Sequence, residues 1–474
     1  MERVVAYGRS LIVNDPEQLL DIVERQARQL LKQQSVIEAH EQQLKTLEKA
    51  VAALKEEQRV SSVAPFRIDE KKRKQAPKKP GRKPGHRGAW RQSPPPAASD
   101  EHIEVSLPQC PDCGHNLDVA HQRAIEQTII EAPVVVPRII RLRTYRNHCD
   151  HCDKPVSSHH PLQVSEATGA AGTHLGPRAL GLAAMLNKEL KLTMRKSTQV
   201  LNRLLGVTLS PGGLSQALDR VAGQLKGDYE QTLITLRESE VIHTDETGWW
   251  VGGSGYTLWV YTNKAGTYYR IVNSRNRATA EAILGDDFKG VLVSDCLSVY
   301  DGIEGEQQKC YAHHLKALSK ALHSEDAKGS AYLLELRALL HTTMLLKQLQ
   351  DDLPDAQRQS LRQALEARFE ELLTKPRPPD EQGQQEAKVR NRLRKQQDHL
   401  FTFLDHPAVD ATNNLAERQL RPAVISRKLS CGSKTPNGAN TWAILASLAA
   451  TAQQQGDSFT EQVAQAMMLK NRAA

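Results

Sequence analysis

A multidomain α+β protein is predicted, from three observations. A heptad-patterned polar helix comes first, and two C-x-x-C pairs follow a basic Pro/Gly stretch. From Val241 the residue period then switches from helical to two, before returning to helix. The 474 residues exceed what one hydrophobic core usually organises, so three or more domains are expected. Hydrophobic residues make up 39% and mean hydropathy is −0.52. No window approaches the run of about 18 apolar residues that a spanning helix needs, which excludes an integral helical membrane protein. MERVVAYGRS lacks a basic-then-apolar signal peptide, so secretion is disfavoured.

The first region, residues 1–60, centres on a helix over 17–58 with no Gly or Pro from Gln18 to Gln58. Val23, Leu30, Ile37, Leu44 and Val51 recur every seven residues. Their partner positions are Leu19, Gln26, Gln33, His40, Leu47 and Leu54, so the seam is apolar at its ends and polar in the middle. A coiled coil whose polar layers fix register fits this pattern and would make the protein a homo-oligomer. An amphipathic helix docked on its own protein fits it too.

Residues 61–100 hold the protein's positive balance. The whole chain carries 63 Lys+Arg and 55 Asp+Glu, a net +8. Lys71 to Arg91 contains ten of those bases and no acid, which leaves the remainder slightly acidic. Interspersed Pro and Gly forbid a packed helix, so an extended, solvated tether is expected. Lys71, Lys72, Arg73, Lys74, Lys78, Lys79, Arg82 and Lys83 are candidate phosphate contacts. A merely solubilising linker is the alternative.

Residues 101–165 carry Cys110-Pro-Asp-Cys113 and Cys149-Asp-His-Cys152, four of seven cysteines. Two C-x-x-C knuckles place four thiolates around one tetrahedral Zn²⁺ and leave no open position, so the expected zinc is structural. The β-type segment Ile125 to Leu142 suits a zinc-ribbon-like module, and His115, His148 and His151 are alternative ligands. A redox C-x-x-C is the competing reading. An odd cysteine count without a signal peptide argues against a disulfide framework.

Residues 170–240 read as helical. Thr193 caps a helix through Leu205 that Gly206 ends, and Ser210-Pro211 opens a second helix to about Leu225. The pair suits a helix-turn-helix-like element or an ordinary core hairpin. From 241 to 312, VIHTDETGWW, YTLWVYTN, TYYRIVN and VLVSD are short strands, with a helix at Arg277 to Leu284 and KCYAHH as a fifth strand. Together they suggest a mixed α/β sheet. Residues 313–404 return to helix, broken by a loop at 375–383, and a last helical region begins near 413 within the 405–474 segment.

The acidic constellation carries the chemistry. Asp245 ends one apolar strand and Asp295 another. Two such strands side by side aim their carboxylates at a hard cation such as Mg²⁺, although an Asp at a strand end is also a common turn former. Glu417 in TNNLAERQLRP is the third candidate, with a helix-capping role for Asn414 and Glu417 as its alternative. Pro422 implies a kink or a restart of that helix. Trp249, Trp250 and Trp259 suit either base stacking or core packing.

The combined order resembles the insertion-sequence-66 family of DDE transposases over nearly the full length. It runs heptad helix, basic linker, C-x-x-C pairs, HTDET, VLVSD, C-Y-A-H, then NNLAERQLRP with Arg427-Lys428. The resemblance implies an RNase H-like catalytic core whose triad is Asp245, Asp295 and Glu417, with the 313–404 helices as an insertion. Catalytic Mg²⁺ or Mn²⁺, structural Zn²⁺, and element ends and target DNA as partners come with it. So do metal-dependent strand cleavage and transfer, element-encoded accessory proteins, and a place at the nucleoid in the bacterial cytoplasm. Cys310, Tyr311, Ala312 and His313 match the family's C-x-A-H element, while His314-Leu315-Lys316 follows where relatives carry more arginine. Arg418, Arg421, Arg427 and Lys428 are candidate backbone contacts, or a solvated helix face. A nuclease or resolvase without strand transfer, and a zinc-dependent DNA-binding regulator with an inactive core, are the alternatives.

Overall fold

The computed structural model describes residues 100–118, 123, 125–132, 136–164, 174–327, 330–349, 353–376 and 383–469, with a few single positions before 100. Arg25, Arg28 and Gln29 are helical, but the heptad positions and the basic arm from Lys71 to Arg91 lie outside the described residues. The chain forms two units: residues 45–136, and residues 1–44 with 137–474.

In the first of these units, residues 108–117 close a tight knuckle. Gly114 donates its N–H to the Cys110 carbonyl at 2.9 Å, and Cys110 donates to the His115 carbonyl at 2.9 Å. Gly114 turns with φ +73°, a conformation that favours glycine. The expected β-type segment is not found: the described residues of 125–142 contain no strand. Its apolar side chains, Ile125, Ile129, Ile130 and Ile139 among them, are exposed, so they supply none of the burial that stabilises a sheet.

In the larger unit, β1 (Arg146–Cys149) and β2 (Lys154–Ser157) form an antiparallel hairpin around the second cysteine pair. Helices α1 (Pro177–Lys188), α2 (Met194–Leu205), α3 (Pro211–Gln224) and α4 (Lys226–Arg237) follow. Thr193 accepts the Lys196 N–H and Ser210 accepts the Gly213 N–H, the caps the sequence specified. Gly206 ends α2 in the left-handed region. Asn202 clasps the turn between them, accepting the Leu209 N–H at 2.9 Å and donating to its carbonyl at 3.2 Å.

The central sheet comprises β3 (Val241–Val251), β4 (Ser254–Thr262), β5 (Thr267–Val272), β6 (Val291–Ser294) and β7 (Gln307–Lys309), in the order β5-β4-β3-β6-β7. The first three form an antiparallel meander, and α5 (Arg277–Leu284) crosses over to β6, which pairs parallel to β3. β7 then pairs parallel to β6. The fifth strand thus lies two residues earlier than KCYAHH predicts. Cys310 is a helix N-cap and Tyr311 begins α6 (Tyr311–Leu322).

Between β7 and the last helices run α6, α7 (Ala331–Leu349), α8 (Asp355–Thr374) and α9 (Gln384–Lys395). The chain finishes with α10 (Asn414–Ser430), α11 (Pro436–Gln455) and α12 (Phe459–Leu469). Pro422 lies inside α10 without breaking it, so no restart occurs. Strand alternation sorts the core. Trp259 and Tyr261 pack with α1, α3 and α5, whereas Leu258 and Val260 pack under α10 and α11. Val291 and Val293 of β6 pack against α6, α7, α8 and α9. The α10–α11 linker is clamped to the β3–β4 hairpin, with Ser433 N–H donating to the Trp250 carbonyl at 2.8 Å. Gly432 (φ +92°) is required there, because a Cβ would lie 2.3 Å from the Trp250 carbonyl oxygen.

Candidate active site

Backbone register brings the two aspartates together. On the parallel pair, His243 lies opposite Val293. The next same-face residue on each chain is therefore Asp245 and Asp295. Asp245 is not at a strand end, as the sequence suggested, because β3 continues to Val251. It stands where its parallel neighbour stops at Ser294, which opens a gap beside it. Backbone amides fix both carboxylates: Asp245 accepts the Glu246 N–H at 2.8 Å and Asp295 accepts the Leu297 N–H at 2.8 Å.

Glu417 arrives on the first turn of α10. The capping alternative fails, since no side chain caps this helix and its N-cap is Asn413. Asn413 is fully buried and turned into the protein instead. Its Nδ2 donates to the Thr244 carbonyl at 2.7 Å, leaving Oδ1 to accept from His243 Nδ1 at 3.3 Å. Its backbone N–H donates to Cys310 Sγ at 3.1 Å, and Tyr311 N–H donates to the Ala411 carbonyl at 2.9 Å. These bonds pin the start of α10 to β3 and to the β7–α6 junction. Glu417 consequently projects toward His313, whose Nδ1 is 4.0 Å from its Oε1.

The three carboxylates share one electrostatic field. Burial pushes Asp245 up to about 7, and the charges of Glu246, Asp295 and Glu417 push the same way, against the Glu246 amide. No lysine or arginine among the described residues comes within 4.0 Å of Asp245 or Asp295. Crowded oxygen donors with no cationic side chain in contact, at a sheet gap, are the set a hard divalent cation takes. They are not drawn to ligand spacing: among the described residues, only Cys310, His313 and Glu417 bring ligand atoms within 4.8 Å of one another.

Several supporting residues were not read from the sequence. Glu246, on the opposite face of β3, is almost wholly buried and accepts Arg275 Nη2 at 2.8 Å and the Tyr300 hydroxyl at 2.6 Å. Its place inside HTDET was the available signal. Lys309 is fully buried and donates to Ser294 Oγ at 3.1 Å; burial lowers it to about 8. His314 lies 3.3 Å from Cys296 Sγ through Nε2, and burial keeps it neutral, down to about 3.

The other predicted positions fall into separate groups. Arg418, Arg421 and Lys428 line the exposed face of α10. Arg427 is engaged with the fold, donating to Thr247 Oγ1 at 3.1 Å and to the Gly248 carbonyl. Trp249 and Trp259 are core residues, and only Trp250 of that cluster is exposed. In the 45–136 unit, amides of Cys113 and Asp112 hold the Cys110 thiol below its ordinary value. In the other unit, Cys152 and the His151 amide do the same for Cys149. The first cysteine of each knuckle is thus shifted toward its thiolate. Lys71, Lys72, Arg73, Lys74, Lys78, Lys79, Arg82 and Lys83 lie outside the described residues.

A family model described as Transposase IS66 family matches residues 172–441, more than half of the chain. The chain belongs to the IS66 transposase family. The match begins just before α1 and ends within α11, so it takes in the whole sheet, α6 to α9 and the helix carrying Glu417. This transposase has no match among curated proteins. Among the described residues, none of its helices is long and apolar enough to cross a membrane.

Proposed function

We propose that this IS66 family transposase cuts and joins DNA at an RNase H-like core, with Asp245, Asp295 and Glu417 as its catalytic triad. The observation that carries the reading is the β3–β6 register, which sets Asp245 and Asp295 side by side on the face to which α10 brings Glu417. The sheet order supports the core assignment, since an antiparallel meander followed by two parallel crossovers gathers these strand positions at one opening.

The three carboxylates would hold divalent magnesium or manganese. Bound there, the metal supplies activation of the attacking oxygen and charge neutralisation at the leaving oxygen. Each residue has a defined part. Asp295, oriented by the Leu297 amide, and Asp245, oriented by the Glu246 amide, are a pair whose carboxylates are already held by backbone bonds before the DNA backbone arrives. Glu417 closes the set from the first turn of α10, where the helix dipole favours its charge. Arg418, Arg421 and Lys428 face outward along the same helix and would contact phosphates. The basic arm holding Lys71 and Arg82 would add sequence-independent affinity, and α2 presents Arg195, Gln199 and Arg203 on one exposed stripe for the element ends. Each C-x-x-C turn would supply two thiolates to structural zinc. The heptad helix would pair protomers so that both ends are held together.

The test is an assay of labelled element ends with target DNA and Mg²⁺. The wild type is expected to cleave and join, and Asp295→Ala to do neither. Cleaved ends that never join would favour a nuclease or resolvase. DNA activity unchanged in Asp295→Ala would favour a regulator with an inactive core.

A further inference from the structure

Beside the carboxylates lies a donor set of different chemistry. Cys310 caps α6 and His313 sits three residues on, so thiol and imidazole share one helical turn. Their ligand atoms and a Glu417 carboxylate oxygen all lie within 4.8 Å of one another. Cys310 is fully buried, and its sulfur receives the Asn413 N–H at 3.1 Å. The amides of His313 and Ala312 also act on it, each favouring the thiolate. Backbone N–H groups aimed at sulfur stabilise the charge of a metal-bound thiolate and fix its orientation.

The imidazole offers an independent observation. His313 Nδ1 is buried yet has no hydrogen-bond partner. Glu417 Oε1, at 4.0 Å, is beyond hydrogen-bond reach. A buried ring nitrogen left in this way requires an explanation, and a cation between nitrogen, sulfur and oxygen supplies one. Glu417, whose side chain is 36% exposed, can shift inward to bring its oxygen to the zinc–oxygen distance of about 2.0–2.2 Å.

We propose that Cys310, His313 and Glu417 bind a thiophilic divalent cation of the zinc class, which competes with the carboxylate triad for Glu417. Sulfur and imidazole select such an ion over magnesium, which takes oxygen. Three protein ligands leave an open position, so the ion exchanges rather than being sealed in. Binding displaces the thiol proton of Cys310 to solvent, while His313 enters neutral and Glu417 as its anion. Burial, and the charge of Glu417 beside it, disfavour that thiolate, but a bound cation reverses the balance. The competition rests on the triad role proposed for Glu417; the binding does not. Zinc would thereby withdraw the glutamate from the reacting centre.

Equilibrium dialysis of the full chain against buffered zinc, with bound metal counted by atomic emission, tests this. Any zinc held at the C-x-x-C turns is common to every variant compared and cancels. His313→Ala and Cys310→Ser are each expected to bind about one zinc fewer per chain than the wild type. Glu417→Gln should weaken that equivalent by more than ~10-fold, and Asp245→Asn should keep it. Because Cys310 is a core residue, the half-exposed His313 is the deciding position. Equal zinc content in the wild type and His313→Ala at saturation would overturn the site. If Asp295→Ala abolishes joining while those contents are equal, the triad stands and the zinc site falls. A missing zinc in His313→Ala, with no joining by the wild type, leaves the zinc site standing alone.

Discussion

The two sides of the site are held in different ways. Asp245 and Asp295 are placed by backbone pairing between β3 and β6, which fixes position whatever the neighbouring side chains are. Glu417 is placed by side chains. A single buried asparagine ties the start of its helix to Thr244, His243 and Cys310. The difference teaches that the aspartate side is a property of the sheet, whereas the glutamate side depends on a few polar bonds that one substitution can remove.

The largest expected effect lies on the sheet side. Asp245→Asn or Asp295→Asn should lower Mg²⁺-dependent cleavage by ~10²–10³-fold or more, the scale of removing a preorganised charge-stabilising group. Circular dichroism should remain that of the wild type. Cleavage within a few-fold of wild type would break the comparison at its stronger side.

The next effect is on stability and has a definite pH window. Asp245 takes up its proton more readily in the folded protein, where its value is about 7 against an ordinary 3.8. Its ionisation therefore opposes folding, and the favourable contribution, complete below about pH 4, is lost as pH rises through about 7. In chelator, Asp245→Asn should stabilise the protein at pH 8 by roughly 2–4 kcal/mol, a gain that vanishes near pH 4. Denaturant melts at the two pH values measure it, and a gain equal at both would contradict the crowding of the carboxylates.

Asn413→Ala probes the glutamate side. It leaves the Thr244 carbonyl and His243 Nδ1 buried without partners, a cost of about 2–4 kcal/mol for the two groups. Joining should fall more than stability accounts for, because Glu417 loses its anchor. A variant as stable as the wild type would show that α10 is held by packing alone.

The smallest effects separate two neighbouring cations. Arg427→Ala should cost about 1–2 kcal/mol through its bonds to Thr247 and the Gly248 carbonyl. The exposed Lys428→Ala should leave stability within ~0.5 kcal/mol and reduce the salt slope of DNA binding by about 1. Equal responses from the two would remove the distinction between fold and surface on α10.

The same contrast sets how much was legible in the sequence. The α2 and α3 caps, the left-handed Gly206, the meander and the crossover to β6 follow from local patterns of period, cap and turn, and all are present. Asp245 and Asp295 were readable as carboxylates following short apolar strand runs, although β3 continues past Asp245 to Val251. Asn413 was not, since its partners lie 103 to 170 residues away in the chain. The shift of the fifth strand has a similar cause: Cys310 and Tyr311 suit a strand locally, but Asn413 and Ala411 hold them at a helix start. The described residues of 125–142 fail in the opposite way, with the side chains of a strand but exposed Ile125, Ile129, Ile130 and Ile139.

The most direct test of the account is the joining assay with Glu417→Ala beside the wild type, using labelled element ends, target DNA and Mg²⁺. The account predicts joined product from the wild type and neither cleavage nor joining from Glu417→Ala, with DNA binding retained. Joined product from Glu417→Ala at the wild-type rate would contradict it.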